Sequence, residues 1–138
     1  MSQHNIELVQ RGYAAFGNGD IDGLLATMHE NIEWQTPGAK DLPTAGSRRG
    51  HAEVREFFKV IAELIEFESF EPQTFVADGD RVVVLGIDNF KVKGGSGKSL
   101  HEHWCHAFTI RDGSIVAFRE YIDTAALAAE LKAVAATA

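Results

Sequence analysis

The segment Ser99-Leu-His-Glu-His-Trp-Cys-His-Ala-Phe-Thr-Ile110 continues through Arg111-Asp-Gly-Ser114 into Ile115-Val-Ala-Phe-Arg-Glu-Tyr-Ile-Asp123. Two apolar-rich runs joined through Asp-Gly predict a β-hairpin. Because alternate residues of a strand point to one side, the even positions form a face whose apolar members are Trp104, Phe108, Ile110, Val116, Phe118 and Ile122. His106 and Glu120 have the same parity. An imidazole and a carboxylate in apolar surroundings are groups that acid–base catalysis uses, so the hairpin is a candidate site.

The register of the hairpin decides whether His106 and Glu120 meet. A plain two-residue loop at Asp112-Gly113 would pair even positions with odd ones and place His106 on the face of Arg119. A three-residue loop that ends in a left-handed glycine, with its bulge, pairs even with even. We predict the bulged form because it keeps the larger apolar side chains on one face.

Composition restricts the protein class. The chain has 138 residues, of which 45% are hydrophobic, which predicts a single domain over residues 1–138. With 13 Lys and Arg against 20 Asp and Glu, the net charge of -7 argues against nucleic acid or a membrane surface as partner. The N-terminus lacks the features of a signal peptide, so we expect a cytoplasmic protein. Its one cysteine, Cys105, permits no internal disulfide.

Apolar spacing predicts helices first and strands later. The predicted helices span residues 6–16, 21–28 and 54–65, and an Ala-rich helix begins at residue 124. A short strand over residues 31–36 precedes a Pro- and Gly-rich loop at 37–50, which is long enough to act as a lid. Further strands are predicted at 67–77, 81–93, 100–111 and 114–122. This order predicts an α+β fold with a curved antiparallel sheet wrapped on the helices.

Five motifs accompany that order: Gly19-Asp20-Ile-Asp-Gly23, Trp34-x-x-Pro37-Gly38, Gly50-x-x-x-Val54-x-x-Phe57-Phe58, Asp78-Gly79-Asp80 and Asp112-Gly113-x-Ile115-x-x-Phe118-Arg-Glu-Tyr-x-Asp123. With them the chain resembles the nuclear transport factor 2-like superfamily, and within it the SnoaL-like and ketosteroid isomerase-like branch. The resemblance covers nearly the whole chain and implies a cone-shaped α+β fold and a homodimer. It does not fix the function, because this scaffold hosts isomerases, cyclases, epoxide hydrolases, dehydratases and binding proteins.

Two members of this superfamily share pocket positions with the chain. In SnoaL-type cyclases a histidine and an acid on the last two strands face the pocket, and His106 and Glu120 occupy the matching positions. In limonene epoxide hydrolase-like members an Arg-x-Asp and an acid on the last strand activate water. The matching residues are Gly86, Asp88 and Glu120, so that arginine is missing.

Ketosteroid isomerase matches less well. The positions of its general base and its oxyanion-stabilising tyrosine are held by Thr36 and Gly12. Neither residue supports that chemistry, so we expect no appreciable isomerisation of a Δ5-3-ketosteroid.

The predicted catalytic residues are therefore His106, Glu120 and Asp88. Substrate contacts are assigned to aromatic residues, namely Trp34, Trp104, Phe118, Tyr13 and Phe90. Each assignment has a plainer alternative. His106 and Glu120 can form a purely structural hydrogen bond, Asp88 can be a solvated residue near the mouth of the cone, and the aromatic residues can be core.

His101, His103 and Cys105 share odd parity and would place three soft ligands on the other face of the same strand. Three ligands in a row on one strand rarely close a tetrahedral site, and the His-Glu-x-x-His spacing of metalloproteases is absent. We therefore expect no metal, and we expect this outer face to pack against a second subunit.

These observations predict cofactor-independent acid–base catalysis, of the isomerase or polyketide cyclase kind, on a small hydrophobic carbonyl compound in an apolar pocket closed by the 37–50 loop. One of His106 and Glu120 would remove a proton next to the carbonyl while the other orients it or returns the proton. Two alternatives stay open. One is a non-catalytic protein that binds a hydrophobic ligand, and the other is epoxide hydrolase-like addition of water through Asp88 and Glu120.

Overall fold

The structure, a computed structural model, describes residues 2–137 of the chain, with side chains up to Val134. Its elements in chain order are α1 (Ser2–Gly17), α2 (Ile21–Leu25), β1 (Met28–Thr36), β2 (Gly46–Arg49), α3 (Gly50–Leu64), β3 (Ile65–Asp78), β4 (Arg81–Val92), β5 (Leu100–Arg111), β6 (Ser114–Tyr121) and α4 (Ala125–Thr137). The α+β prediction is confirmed. Several boundaries differ by a few residues. The largest differences are that α2 ends before Met28, which begins β1, that α3 begins at Gly50, and that the 37–50 segment contains the short strand β2.

The six strands form one curved sheet in the order β2-β1-β6-β5-β4-β3. Neighbouring strands are antiparallel except β1 and β6, which run parallel. The register between β3 and β4 shifts twice, between Phe67 and Ser69 and between Pro72 and Thr74. Such bulges bend and twist a strand, and they curve this edge of the sheet around the helices.

The hairpin of β5 and β6 has the predicted pairing beyond its turn but not the predicted loop. Arg111 pairs with Ser114, so the loop has two residues. Asp112 and Gly113 have φ values of 51° and 77°, the left-handed backbone that a type I′ turn requires at both positions. The prediction of a three-residue loop was therefore wrong. Asp112 adopts the left-handed conformation, which permits the tighter two-residue turn.

A bulge inside β6 restores the predicted pairing of even-numbered residues with even-numbered residues. Ile110 pairs with Ile115 while Thr109 pairs with Ala117, so Val116 is the extra residue. Beyond it His106 pairs directly with Glu120. The place we predicted for Val116 on the inner face is taken by Ile115, which is 1% exposed.

The main core lies between the inner face of the sheet and the helices α1, α2 and α3, which contribute residues such as Val9, Leu25, Val54 and Phe57. A smaller cluster at one end contains Leu42, Ile65, Phe90, Val92, Leu100 and Leu127. Leu127 belongs to α4, so the last helix closes that end of the sheet. Among the helices of residues 2–137, none has the length and apolar character of a membrane span.

Candidate active site

A cavity of about 120 Å³ lies between the inner face of the sheet and the helices. Its wall is mainly apolar and includes Val9, Phe57, Phe70, Phe108 and Ile122. Six polar side chains interrupt this wall: Tyr13, Thr44, Asp88, Glu102, His106 and Glu120. Cavities of this size in other proteins hold single aromatic rings. The cavity therefore fits a small, largely apolar ligand that carries a few polar groups.

His106 stands at the centre of a hydrogen-bonded chain. Its Nε2 lies 3.1 Å from Glu120 Oε2, and its Nδ1 lies 2.7 Å from the Tyr13 hydroxyl. The side chain of His106 is 7% exposed and that of Glu120 is 23% exposed. The structure thus brings together His106 and Glu120 as the sequence predicted. It also adds Tyr13 as a hydrogen-bond partner, whereas the sequence had indicated only a ligand contact.

Aromatic packing fixes the His106 ring. The ring stacks on Trp104 at a centroid distance of 4.1 Å, and the Tyr13 ring lies nearly parallel to it with its centroid 5.9 Å away. Phe118 meets it edge-on at 4.8 Å. With its plane and both nitrogens fixed, His106 has little freedom to choose another partner.

The hydrogen-bond partners of the His106 ring also determine which of its nitrogens carries a proton. Burial, followed by the charge of Glu120, raises the pKa of the Tyr13 phenol above its ordinary value. The neutral phenol donates to Nδ1 of His106, and Nε2–H donates to the carboxylate of Glu120. Both ring nitrogens are thereby used, and Glu120 Oε1 has no hydrogen-bond partner among residues 2–134. Glu120 thus lines the cavity with a free proton acceptor, Oε1.

A second polar pair lies further along the same sheet face. Asp88 pairs with Glu102 in the β4–β5 register, and both residues line the cavity. Burial raises the pKa of Asp88 to about 7, although its hydrogen bond with Glu102 acts in the opposite direction. Burial, the charge of Asp88 and the same hydrogen bond raise the pKa of Glu102 to about 9. Asp88 is 3% exposed, so the alternative of a solvated residue at the mouth was wrong.

Glu102 was missed in the sequence. It shares the even parity of Trp104 and His106, and that signal was available. A glutamate near a strand end is usually solvated, so parity alone does not single it out. Its place in the cavity wall depends on tertiary packing, which parity within one hairpin does not report.

The packing of Trp104 explains why position 86 holds a glycine and not the arginine of the epoxide hydrolase pattern. A Cβ at this position would collide with the indole of Trp104 and would lie 2.6 Å from the backbone oxygen of Glu71. Trp104 thus occupies the space that a side chain at position 86 would need. The ring also stacks on Phe70 at 4.9 Å.

The other aromatic residues divide into two groups. Trp34 and Phe118 stack at 3.7 Å and both line the cavity, as do Tyr13 and Phe90. Trp104 instead supports His106 and covers Gly86. The indole Nε1 atoms of Trp34 and Trp104 are buried and have no hydrogen-bond partner among the described residues.

The segment between β1 and β2 is held in place by Arg48. Its guanidinium donates to Thr36 Oγ1 at 3.1 Å and to the backbone oxygen of Pro43 at 3.2 Å, and it lies over the ring of Phe57. The Thr36 hydroxyl donates to the backbone oxygen of Thr44, which lines the cavity. Thr36 thus anchors this segment. Gly12, at the other position matched to a ketosteroid isomerase residue, lines the cavity beside Tyr13.

The outer face of β5 carries exposed histidines, in contrast to the buried hydrogen-bonded residues of the inner face. His101 and His103 are exposed, and Nδ1 of His101 bonds Asn89 Oδ1 at 2.8 Å. In the part of the chain that the structure describes, no three His, Cys, Asp or Glu side chains are arranged to hold a metal ion.

Comparison with known proteins places this geometry in context. The family model of the SnoaL-like domain matches residues 9–118. An NTF2-like protein from Burkholderia xenovorans LB400 is 40% identical, with 94% of this chain and 97% of that chain covered and a TM-score of 0.84. An NTF2-like protein from Burkholderia pseudomallei K96243 is 29% identical, with 94% and 98% covered and a TM-score of 0.86. TerC, co-crystallised with polyporic acid, is 32% identical, with 94% and 98% covered and a TM-score of 0.81. No curated protein matches the chain.

Proposed function

The chain belongs to the SnoaL-like domain family, and we propose that it is a cofactor-independent acid–base enzyme that moves a proton next to the carbonyl group of a small apolar compound. The single observation that carries this proposal is the chain Tyr13–His106–Glu120 in the wall of an apolar cavity. A carboxylate that is oriented by a fixed imidazole and keeps one free oxygen is suited to be a general base.

Glu120 is the base in this proposal. Its Oε2 is bonded by His106, while Oε1 is free to take a proton from the carbon beside the ligand's carbonyl. The electron pair of the broken C–H bond moves into the carbonyl to give an enolate, and the proton on Glu120 returns to the ligand at the same or another atom. His106 positions the carboxylate, and Tyr13 holds the imidazole in the matching tautomer.

Trp34 is the donor that we assign to the carbonyl oxygen. Its indole N–H is buried without a partner among the described residues, and its ring lies in the cavity wall against Phe118. An unpaired buried donor destabilises the protein unless a ligand accepts from it. Polyporic acid, with which the similar TerC was crystallised, supports an organic compound as the ligand.

Proton exchange tests the proposal without knowledge of the natural substrate. We expect the wild-type protein to accelerate exchange of the protons beside the carbonyl of 4-phenylbutan-2-one in D2O, followed by NMR. Glu120→Gln removes the base but keeps the shape, so exchange should fall by about 100-fold or more. Binding of the ketone, measured by NMR titration, should stay within about threefold because its apolar contacts remain.

The matched control is His103→Gln on the outer face of the same strand, which should leave exchange unchanged. Exchange by Glu120→Gln at the wild-type rate would refute Glu120 as the base.

The second candidate function is non-catalytic binding of a hydrophobic ligand, which the mainly apolar cavity favours. The same assay separates the two functions, since a binder would bind the ketone without accelerating exchange. Addition of water to an epoxide has less support, because Trp104 fills the space beside Gly86 and Glu102 engages Asp88.

A further inference from the structure

The Asp88–Glu102 pair is not used by the proposed proton transfer. Val84 pairs with His106, and Asp88 pairs with Glu102 four residues further along both strands. At about 3.3 Å per residue, the backbones of the two pairs lie roughly 13 Å apart along the sheet. The cavity lined by both pairs therefore has two separate polar positions in an otherwise apolar wall.

The two carboxyl groups share a proton. Two carboxylates cannot hydrogen-bond each other unless one of them is protonated. The hydrogen bond between them favours the charged form of Asp88 and the neutral form of Glu102. Glu102 thus carries the proton and donates it to Asp88.

This arrangement leaves one oxygen without a partner. Glu102 can donate its proton to only one of the two carboxylate oxygens of Asp88, and no N–H or hydroxyl donor of the described residues reaches either oxygen. Asp88 is 3% exposed and lines the cavity. Buried carboxylate oxygens nearly always accept a hydrogen bond, so the missing donor is expected from a molecule in the cavity.

We propose that Asp88, held by Glu102, is a specificity-determining subsite that accepts a hydrogen bond from a hydroxyl group of the ligand. The ligand would then have an apolar body with a carbonyl group near Glu120 and a hydroxyl group near Asp88. Only the position of the carbonyl rests on the proposed function, because the subsite itself follows from the unpaired oxygen and the cavity.

Three matched ketones test the subsite: 4-(4-hydroxyphenyl)butan-2-one, its methoxy ether and unsubstituted 4-phenylbutan-2-one. They share the apolar body and the carbonyl, and only the first can donate a hydrogen bond from the ring. We expect the wild-type protein to bind the hydroxy ketone about 10-fold more tightly than the methoxy ketone, since hydrogen bonds to buried charged groups are among the stronger ones.

Variants at position 88 should remove this preference. In Asp88→Ala the two ketones should bind within about twofold of each other, because the acceptor is gone. Asp88→Asn keeps the volume and a neutral acceptor, so a preference of about threefold should remain. Asp88→Asn also serves if Asp88→Ala fails to fold, which circular dichroism would show.

A measurement on the wild-type protein requires no substitution. The side-chain carboxyl carbon of Asp88 should report, in a 13C NMR pH titration, a lower pKa with the hydroxy ketone than with the methoxy ketone. A hydrogen bond donated by the ligand stabilises the charged carboxylate and has this effect.

The outcomes separate the subsite from the proposed function. Equal binding of all three ketones, binding of none, or a preference that survives Asp88→Ala would overturn the subsite. Glu120→Gln is the matched control, since it should lose exchange and keep the hydroxyl preference. A hydroxyl preference without exchange in the wild-type protein would support the subsite and refute the proposed function.

Discussion

Two polar pairs lie on the same face of the same sheet, and they accommodate burial in different ways. His106 and Glu120 combine a base with an acid, and Tyr13 completes the hydrogen bonds of the imidazole. Asp88 and Glu102 combine two acids, which stay together only by holding a proton. In the proposed function the first pair passes a proton to and from a ligand, whereas the second pair holds one between its two carboxyl groups. The type of partner, rather than burial alone, decides what a buried carboxyl group can do.

The largest expected effect comes from breaking the first pair. His106→Ala should lower exchange by about 100-fold, because Glu120 loses its positioning. It should also lower the free energy of unfolding by about 3 kcal/mol, because the ring leaves a gap beside Trp104 and the Tyr13 hydroxyl loses its acceptor. Urea denaturation and the NMR assay measure the two effects.

His101→Ala, on the outer face of β5, is the control and should change stability by less than about 0.5 kcal/mol. If His106→Ala loses stability but keeps the wild-type exchange rate, the pair is structural and the proposed mechanism is wrong.

The second pair makes stability depend on pH. The pKa values of Asp88 and Glu102 are both raised above the values of about 3.9 and 4.3 that these side chains have in an unfolded chain. The folded protein therefore binds more protons than the unfolded chain between about pH 4 and pH 9, and stability falls as the pH rises. The double variant Asp88→Asn, Glu102→Gln cannot titrate there. Relative to the wild type it should gain several kcal/mol in stability from pH 5 to pH 9.

Urea denaturation at both pH values measures this gain. Glu66→Gln, an exposed carboxyl on β3, is the control and should follow the wild type. If the double variant and the wild type show the same pH dependence, the two acids do not share a proton.

The smallest expected effect on the cavity comes from the outer face of the sheet, which we propose as a homodimer interface. Leu85 and Tyr121 both pair with Cys105, so the three form one row across β4, β5 and β6. Leu85 is 47% exposed and Tyr121 is 52% exposed. Leu85→Lys should weaken association by at least about 10-fold and leave exchange per subunit unchanged, because the inner face is untouched. Light scattering at micromolar concentration measures association, and a monomeric wild-type protein would contradict the proposed dimer.

Much of the fold was predictable because it follows from local periodicity. The amphipathic spacing of α1 and α3 and the alternation in β4, β5 and β6 are properties of short segments. Strand β2 was not predicted, since four residues with two arginines show no apolar alternation. The parallel pairing of β1 with β6 joins distant segments, and no local pattern reports it.

The candidate site was predictable to a similar extent. Parity within one hairpin placed His106 opposite Glu120, although the bulge at Val116 was assigned to the wrong position. The hydrogen bond from Tyr13 could not be predicted because it depends on how α1 packs across the sheet. Whether Glu102 is buried likewise depends on tertiary packing.

The contact between Gly86 and Trp104 sets an order for evolution on this scaffold. An arginine at position 86, as in the epoxide hydrolase pattern, would collide with the indole of Trp104 and with the backbone of β3. Replacement of Trp104 by a small residue would have to come first, and it would remove the ring on which His106 stacks. In this packing an arginine at position 86 and the stacked pair of Trp104 and His106 therefore exclude each other.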